Sequence, residues 1–112
     1  MDGQARENGS VAVAGHIPLP EEVIAAFCRR HHIRRLSLFG SVLRDDFRPD
    51  SDIDVLVEFE PGHSVGLITF GGMENELSDL IGQQVDLNRP AGLSPYFRDE
   101  VLAEAEPIYD AA

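Results

Sequence analysis

Apolar and polar residues alternate most regularly over residues 53–59, and this alternation predicts a β-strand. The odd-numbered positions of the segment are all apolar. Leu56 adds an apolar residue on the other side, so part of this strand is expected to be covered on both faces. Shorter runs predict strands at 36–39 and 84–88, and a short edge strand at 108–109.

Apolar residues at helical spacing predict three longer helices. These span residues 20–32, 66–81 and 94–104. Proline opens the first and third helices, and Gly82 follows the second as a C-terminal cap. The adjacent Gly71 and Gly72 are expected to kink the second helix or to delay its start to Met73. A single helical turn is predicted at 42–44.

The order of these elements predicts an α/β fold, a two-layer single domain with a small mixed sheet. A chain of 112 residues has room for one core. Residues 1–17 combine small and polar residues without periodicity and are predicted to form a disordered tail, so the domain is expected to span residues 18–112. Cys28 on the first helix is expected to be a small buried apolar residue.

The charge balance argues against several kinds of partner. Twenty acidic and nine basic residues give a net charge of −11, and all nine basic residues are arginines. A long nucleic acid is therefore not expected as a ligand, because binding its phosphates requires a basic surface. The longest apolar runs are far shorter than the roughly 20 residues of a membrane span, and no signal peptide is apparent. We expect a cytoplasmic protein that does not bind membranes.

Three aspartates lie on two of the predicted strands. Asp52 and Asp54 are two residues apart at the start of the strand at 53–59, so their side chains project to the same side. Asp86 lies within an apolar strand and joins them if the two strands are neighbours. Clustered carboxylates repel one another, and Mg²⁺, which prefers oxygen ligands, would relieve that repulsion. A solvated strand end and an exposed sheet edge are the alternative interpretations.

Gly40 and Ser41 follow a predicted strand and precede a predicted helical turn. Free backbone N–H groups at such a junction favour anions, and glycine allows a phosphate to approach the backbone closely. The Ser41 hydroxyl can donate a hydrogen bond to a phosphate oxygen, and Arg44 can add positive charge one turn later. These three residues form a predicted phosphate-binding site, with a plain surface role for Arg44 as the alternative.

Histidines near the end of the first helix are not predicted to bind metal. His31 and His32 are adjacent, so their side chains point in different directions, and they are interpreted as partners of the helix dipole. His63 is interpreted as an exposed loop residue.

These segments together resemble a known family. Gly40-Ser41, ten further residues and then Asp52-Ile53-Asp54 before an apolar strand are similar to the signature of the DNA-polymerase-beta-like nucleotidyltransferase superfamily. The short length and the segments at 39–44, 51–59 and 92–102 resemble the minimal nucleotidyltransferases of that superfamily. The resemblance extends over roughly residues 20–109.

The resemblance implies a polymerase-beta-like fold and the transfer of AMP from ATP to an acceptor hydroxyl, with release of pyrophosphate. Asp52 and Asp54 would then hold two Mg²⁺ ions, and Asp86 would ligate the catalytic ion and help to deprotonate the acceptor. Gly40 and Ser41 would hold the two terminal phosphates.

Minimal nucleotidyltransferases typically pair with a small helical HEPN-domain ribonuclease as antitoxin and toxin, and some adenylylate a tyrosine of that toxin. The resemblance therefore implies a protein adenylyltransferase in a hetero-oligomer with a HEPN-domain toxin. The alternative is a non-catalytic antitoxin or nucleotide-binding module that neutralises a partner ribonuclease by covering it. Its acidic surface would attract a basic partner, and Phe97 and Val101 are candidate docking residues.

Overall fold

The protein folds around a four-stranded mixed sheet that is covered by helices. The computed structural model describes residues 11–14, 17–44, 47–48 and 50–111. Short 3₁₀ helices at Gly40–Leu43 and Pro90–Gly92 add single turns. The strands and helices are β1 Val11–Ala14, β2 Ile17–Pro20, α1 Glu21–Arg30, β3 Ile33–Phe39, β4 Ile53–Phe59, α2 Leu67–Ile81, β5 Val85–Asn88, α3 Arg98–Glu104 and β6 Glu106–Asp110.

The order of strands in the main sheet is β5-β4-β3-β6. Strand β3 runs antiparallel to both β4 and β6, whereas β4 and β5 are parallel, which confirms the predicted mixed sheet. Strand β4 has the bounds that its alternation predicted, and β6 is the predicted edge strand. The order also makes β4 and β5 neighbours, the arrangement on which the predicted grouping of aspartates depends.

The core lies between the sheet and helices α1 and α2. Ile24 and Phe27 of α1 and Met73 and Leu77 of α2 are buried against apolar residues of β3, β4 and β5. Leu56 points to the other face of the sheet, and it is only 1% exposed. It lines a cavity there with Leu102 and Ala105 from the end of the chain, so the central strand is covered on both faces as its sequence predicted.

Helix α2 is continuous from Leu67 to Ile81, and the two glycines within it do not interrupt it. Each glycine costs about 1 kcal/mol relative to alanine, but burial of Met73 and Leu77 on one face supplies the tertiary contacts that stabilise a helix. The helix ends at Gly82, which has a φ of +83° and donates its N–H to the carbonyl of Ser78 at 2.8 Å. The predicted C-terminal cap is therefore confirmed.

The third helix begins at Arg98, four residues after the predicted start at residue 94. The Ser94 carbonyl accepts the backbone N–H groups of Phe97 at 3.0 Å and Arg98 at 2.9 Å, so residues 94–97 form a separate turn. The Arg98 side chain donates to the carbonyls of Pro90 at 2.9 Å and Leu93 at 3.0 Å. These side-chain bonds fix the junction between the turn and α3.

The predicted tail differs from the structure over residues 11–14, which form strand β1 and pair antiparallel with β2. The alternation of valine and alanine in this short segment favours extended backbone, and pairing with β2 satisfies the backbone hydrogen bonds along one edge of the strand. Residues 1–10 and 15–16 of the predicted tail lie outside the described residues.

The C-terminal end of α1 is attached to α2 by polar contacts. Glu76 accepts a hydrogen bond from His31 Nε2 at 2.9 Å and pairs with Arg30 at 2.6 Å, so His31 contacts a carboxylate of the neighbouring helix.

Burial raises the pKa of the Cys28 thiol to about 12, and Cys28 is fully buried as predicted. Among the helices described here, none has both the length and the apolar character that a membrane span requires.

Candidate active site

Two of the predicted aspartates lie side by side on neighbouring parallel strands. Asp54 is the second residue of β4, and its register partner on β5 is Asp86. At the point where β4 and β5 begin, the Ile53 N–H donates a hydrogen bond to the Gln84 carbonyl at 2.9 Å. Asp52 directly precedes β4 and is exposed, on the side of the strand to which Asp54 also projects. The structure therefore brings all three acids to one end of the sheet.

The electrostatics of this cluster are unfavourable to an ionised Asp54. Partial burial raises the pKa of Asp54, and the negative charges of Asp86 and Asp52 raise it further. A side-chain hydrogen bond between Asp54 and Asp86 acts in the same direction, because one of the two carboxyls must carry a proton to donate it. Arg44 opposes the shift with its positive charge. The pair is thus a site where a bound cation would relieve repulsion.

The oxygen ligands of the three acids are not all within 4.8 Å of one another. Asp52 and Asp86 are both exposed, so either side chain can rotate without disturbing the core. A donor set made only of carboxylate oxygens is the hard-ligand type that suits Mg²⁺. The chemistry of the residues fits such an ion.

Gly40 lies directly against Asp54. Strand β3 ends at Phe39, which is the register partner of Asp54, and Gly40 then turns the chain with a φ of +76°. A Cβ atom placed on Gly40 would clash with Oδ2 of Asp54 and would lie 3.2 Å from its Cγ. Two separate constraints therefore demand glycine here, the left-handed backbone and the close approach of the carboxylate.

Ser41 and Arg44 share a cavity with Gly40 and Asp54. The cavity has a volume of about 420 Å³, and Ser41 is half-buried in the 3₁₀ turn whereas Arg44 is exposed at its end. The Arg44 N–H donates to the Ser41 carbonyl at 2.9 Å, which closes the turn. The predicted phosphate-binding residues and one of the acids thus border one open space.

Residues of α3 and of the turn before it form the opposite wall of this cavity, which the sequence did not predict. They are Phe97, Glu100, Val101 and Glu104. Their spacing of three or four residues places them on one face of a helical segment. This spacing is the feature of the sequence from which a shared wall could have been predicted. The wall presents two carboxylates and an aromatic ring, with Phe97 61% exposed.

Comparison with known proteins decides the family. The model of a family described as "Nucleotidyltransferase domain" matches residues 20–107. The chain belongs to this nucleotidyltransferase family. The protein adenylyltransferase MntA of Thermococcus cleftensis is 37% identical to the chain over 75 residues, which are 67% of this chain and 74% of the relative.

Solved structures support the same assignment. A protein provisionally named a minimal nucleotidyltransferase is 40% identical to this nucleotidyltransferase, with a TM-score of 0.64 over 78% of this chain and 87% of that one. A complex of a tri-AMPylated Shewanella oneidensis HEPN toxin with an MNT antitoxin matches at 21% identity, with a TM-score of 0.59 over 80% of this chain and 69% of that one. At that identity the second likeness shows the fold alone.

Proposed function

We propose that this nucleotidyltransferase transfers AMP from ATP to a hydroxyl group of a partner protein. The observation that carries the proposal is the alignment of Asp54 with Asp86 on neighbouring strands, with Asp54 packed against the Gly40 turn. In the reaction the acceptor oxygen bonds to the α-phosphorus, the bond from that phosphorus to the bridging oxygen breaks, and pyrophosphate leaves. The name of the archaeal relative, a protein adenylyltransferase, supports a protein as acceptor.

Asp52, Asp54 and Asp86 are proposed to hold Mg²⁺. The raised pKa of Asp54 and its contact with Asp86 support this role, because three acids at one sheet end need positive charge when all are ionised. Mg²⁺ held there would neutralise charge on the phosphate oxygens and would favour ionisation of the attacking hydroxyl. Asp86, which is exposed at the sheet edge, is positioned to accept the acceptor's proton.

Gly40, Ser41 and Arg44 are proposed to bind the β- and γ-phosphates. Gly40 lines the cavity together with Ser41, and the Ser41 hydroxyl can donate a hydrogen bond to a phosphate oxygen there. Arg44 lines the same cavity, and its guanidinium supplies positive charge for the phosphates. Glu100 and Glu104, which also line the cavity, are acidic and cannot supply it. Together they orient the α-phosphorus towards the acids.

The partner is proposed to be a HEPN-domain toxin, with a tyrosine hydroxyl as acceptor. The support is the shared fold with the antitoxin of the AMPylated toxin complex and the family resemblance. Leu102 on α3 is 41% exposed, and Tyr96 and Phe97, which directly precede the helix, are 92% and 61% exposed. An exposed apolar surface beside the catalytic cavity is suited to contact with a protein acceptor.

The proposal predicts that neutralisation of the partner's ribonuclease activity requires ATP, Mg²⁺ and the acids. The assay requires a HEPN-domain protein isolated together with this chain, and RNA cleavage by that protein is to be measured after ATP treatment. The Asp52→Asn/Asp54→Asn variant is expected to leave cleavage intact, because the reaction cannot proceed without the carboxylates. Asp79→Asn is the control, since Asp79 is an exposed acid of α2 that does not line the cavity.

Retention of full neutralisation by the double variant, without ATP, would contradict the proposal. That result would assign the chain to the class of antitoxins that act by covering the partner.

A further inference from the structure

A second cluster of metal-binding side chains lies at the opposite end of the sheet. His32, Glu60 and His63 each offer one ligand atom, and these three atoms lie within 4.8 Å of one another. Ile33 of β3 pairs with Phe59 of β4 at this end, whereas Asp54 lies at the other end of β4. Five residues of extended strand separate the two ends by about 17 Å. The cluster is therefore independent of the candidate active site.

A tight turn places two of the ligands side by side. Residues 60–63 read Glu-Pro-Gly-His, the His63 N–H donates to the Glu60 carbonyl at 3.0 Å, and Gly62 has a φ of +84°. Proline second and glycine at positive φ third is the pattern of a type II turn. Such a turn brings its first and last residues together, so Glu60 and His63 are held as neighbours by the backbone alone.

His32, the third residue of the cluster, lies in the connection between α1 and β3 and is hydrogen-bonded to the same turn. The Glu60 N–H donates to the His32 carbonyl at 2.8 Å, and His32 Nδ1 lies 3.8 Å from Glu60 Oε1. His32 has a φ of +57°, and within the described residues it is the one non-glycine residue with positive φ. Histidine in this left-handed region is uncommon and is typically fixed by its surroundings. Here the backbone holds its ring beside His63.

We propose that His32, Glu60 and His63 bind a zinc ion. Two imidazoles and one carboxylate form a ligand set that zinc accepts, with water completing the coordination. The rings of His32 and His63 are stacked, with centroids 4.0 Å apart and planes 10° apart, so one ring must rotate to direct both ring nitrogens at one ion. Both side chains are exposed, and the rotation displaces no core residue. The bound ion would join the α1–β3 turn to the β4–α2 loop.

Zinc titration of the full-length, untagged protein tests this site. With Mg²⁺ in large excess to occupy the acidic cluster, calorimetry is expected to show one zinc ion per chain, with a dissociation constant in the micromolar range or below. His63→Ala and His32→Asn should each weaken binding at least tenfold, because each removes one ligand. Asparagine is chosen at His32 because it tolerates positive φ. The thermal unfolding midpoint of the wild type, but not of either variant, should rise with zinc.

His31→Ala is the matched control, because it removes the neighbouring imidazole, which contacts Glu76 outside the cluster. Unchanged zinc binding in this variant supports the site. Zinc binding by His63→Ala as tight as that of the wild type, binding weakened to the same degree in His31→Ala, or no binding tighter than millimolar would each overturn it and leave the stacked rings as a contact between imidazoles only.

Discussion

Replacing Asp54 with asparagine is expected to abolish AMP transfer while leaving the folded protein at least as stable as the wild type. The loss of transfer should be about 10³-fold or more, because the proposed Mg²⁺ site would lose one of its carboxylate ligands. Asparagine has nearly the same shape without the negative charge, and its amide N–H can donate a hydrogen bond to the Asp86 side chain on the neighbouring strand. Transfer is measured as labelled AMP on the partner, and stability by urea unfolding.

The effect of Asp54 on stability should depend on pH and on Mg²⁺. Since folding raises the pKa of Asp54, its favourable contribution is fully present below its unfolded pKa and is lost as the pH rises through the folded value. Without Mg²⁺, the wild type should therefore lose stability relative to Asp54→Asn as the pH rises above about 4. Mg²⁺ should raise the unfolding midpoint of the wild type and have little effect on the variant.

Asp79→Asn is again the control for removal of one negative charge, and it should change neither transfer nor the response to Mg²⁺. A marked loss of stability in Asp54→Asn would contradict the interpretation of Asp54 as an electrostatically unfavourable residue. Transfer at the wild-type rate would remove Asp54 from the reaction.

Gly40→Ala is expected to damage both stability and activity. The left-handed backbone at φ +76° costs an alanine about 1–2 kcal/mol, and the added methyl group must displace the Asp54 carboxylate that occupies its position. Displacement of a catalytic group by about 1 Å can reduce the rate 100-fold, so we expect at least that loss in AMP transfer. Urea unfolding and labelled-AMP transfer measure the two effects on the same variant.

Gly82→Ala separates the two causes. Gly82 has nearly the same φ, +83°, but a Cβ there would contact nothing within 4 Å. It should therefore cost the backbone strain alone and leave transfer unchanged. Equal effects of the two variants on transfer would contradict a specific contact between Gly40 and Asp54.

The regular parts of this fold could be predicted because their signals are local. The alternation over β4 and the glycine at 82 each specify their structure within a few residues, and both predictions are confirmed. Strand β3 begins at Ile33, whereas the sequence predicted a strand only from residue 36. The predicted start was late because Arg34 and Arg35 interrupt the apolar pattern. The two arginines fit within the strand because Glu58, on the neighbouring strand β4, forms ion pairs with both of them.

The grouping of Asp54 with Asp86 could be inferred only on the condition that two strands were neighbours, and the strand order meets it. The contact between Gly40 and Asp54 depends on antiparallel register, which no residue pattern in the sequence specifies. The zinc cluster was missed for a related reason. His32 and His63 are 31 positions apart, and only the Glu60-Pro61-Gly62-His63 turn signals the local half of the site.

Transfer of AMP by this chain to a protein can be measured as the intact mass of a partner isolated together with the chain. The partner is weighed after incubation with ATP and Mg²⁺, beside a sample prepared with the Asp52→Asn/Asp54→Asn variant. We expect additions of about 329 Da, one per AMP unit transferred, that are absent with the variant. A stable complex whose partner gains no mass in either sample would show that the chain does not transfer AMP to that partner.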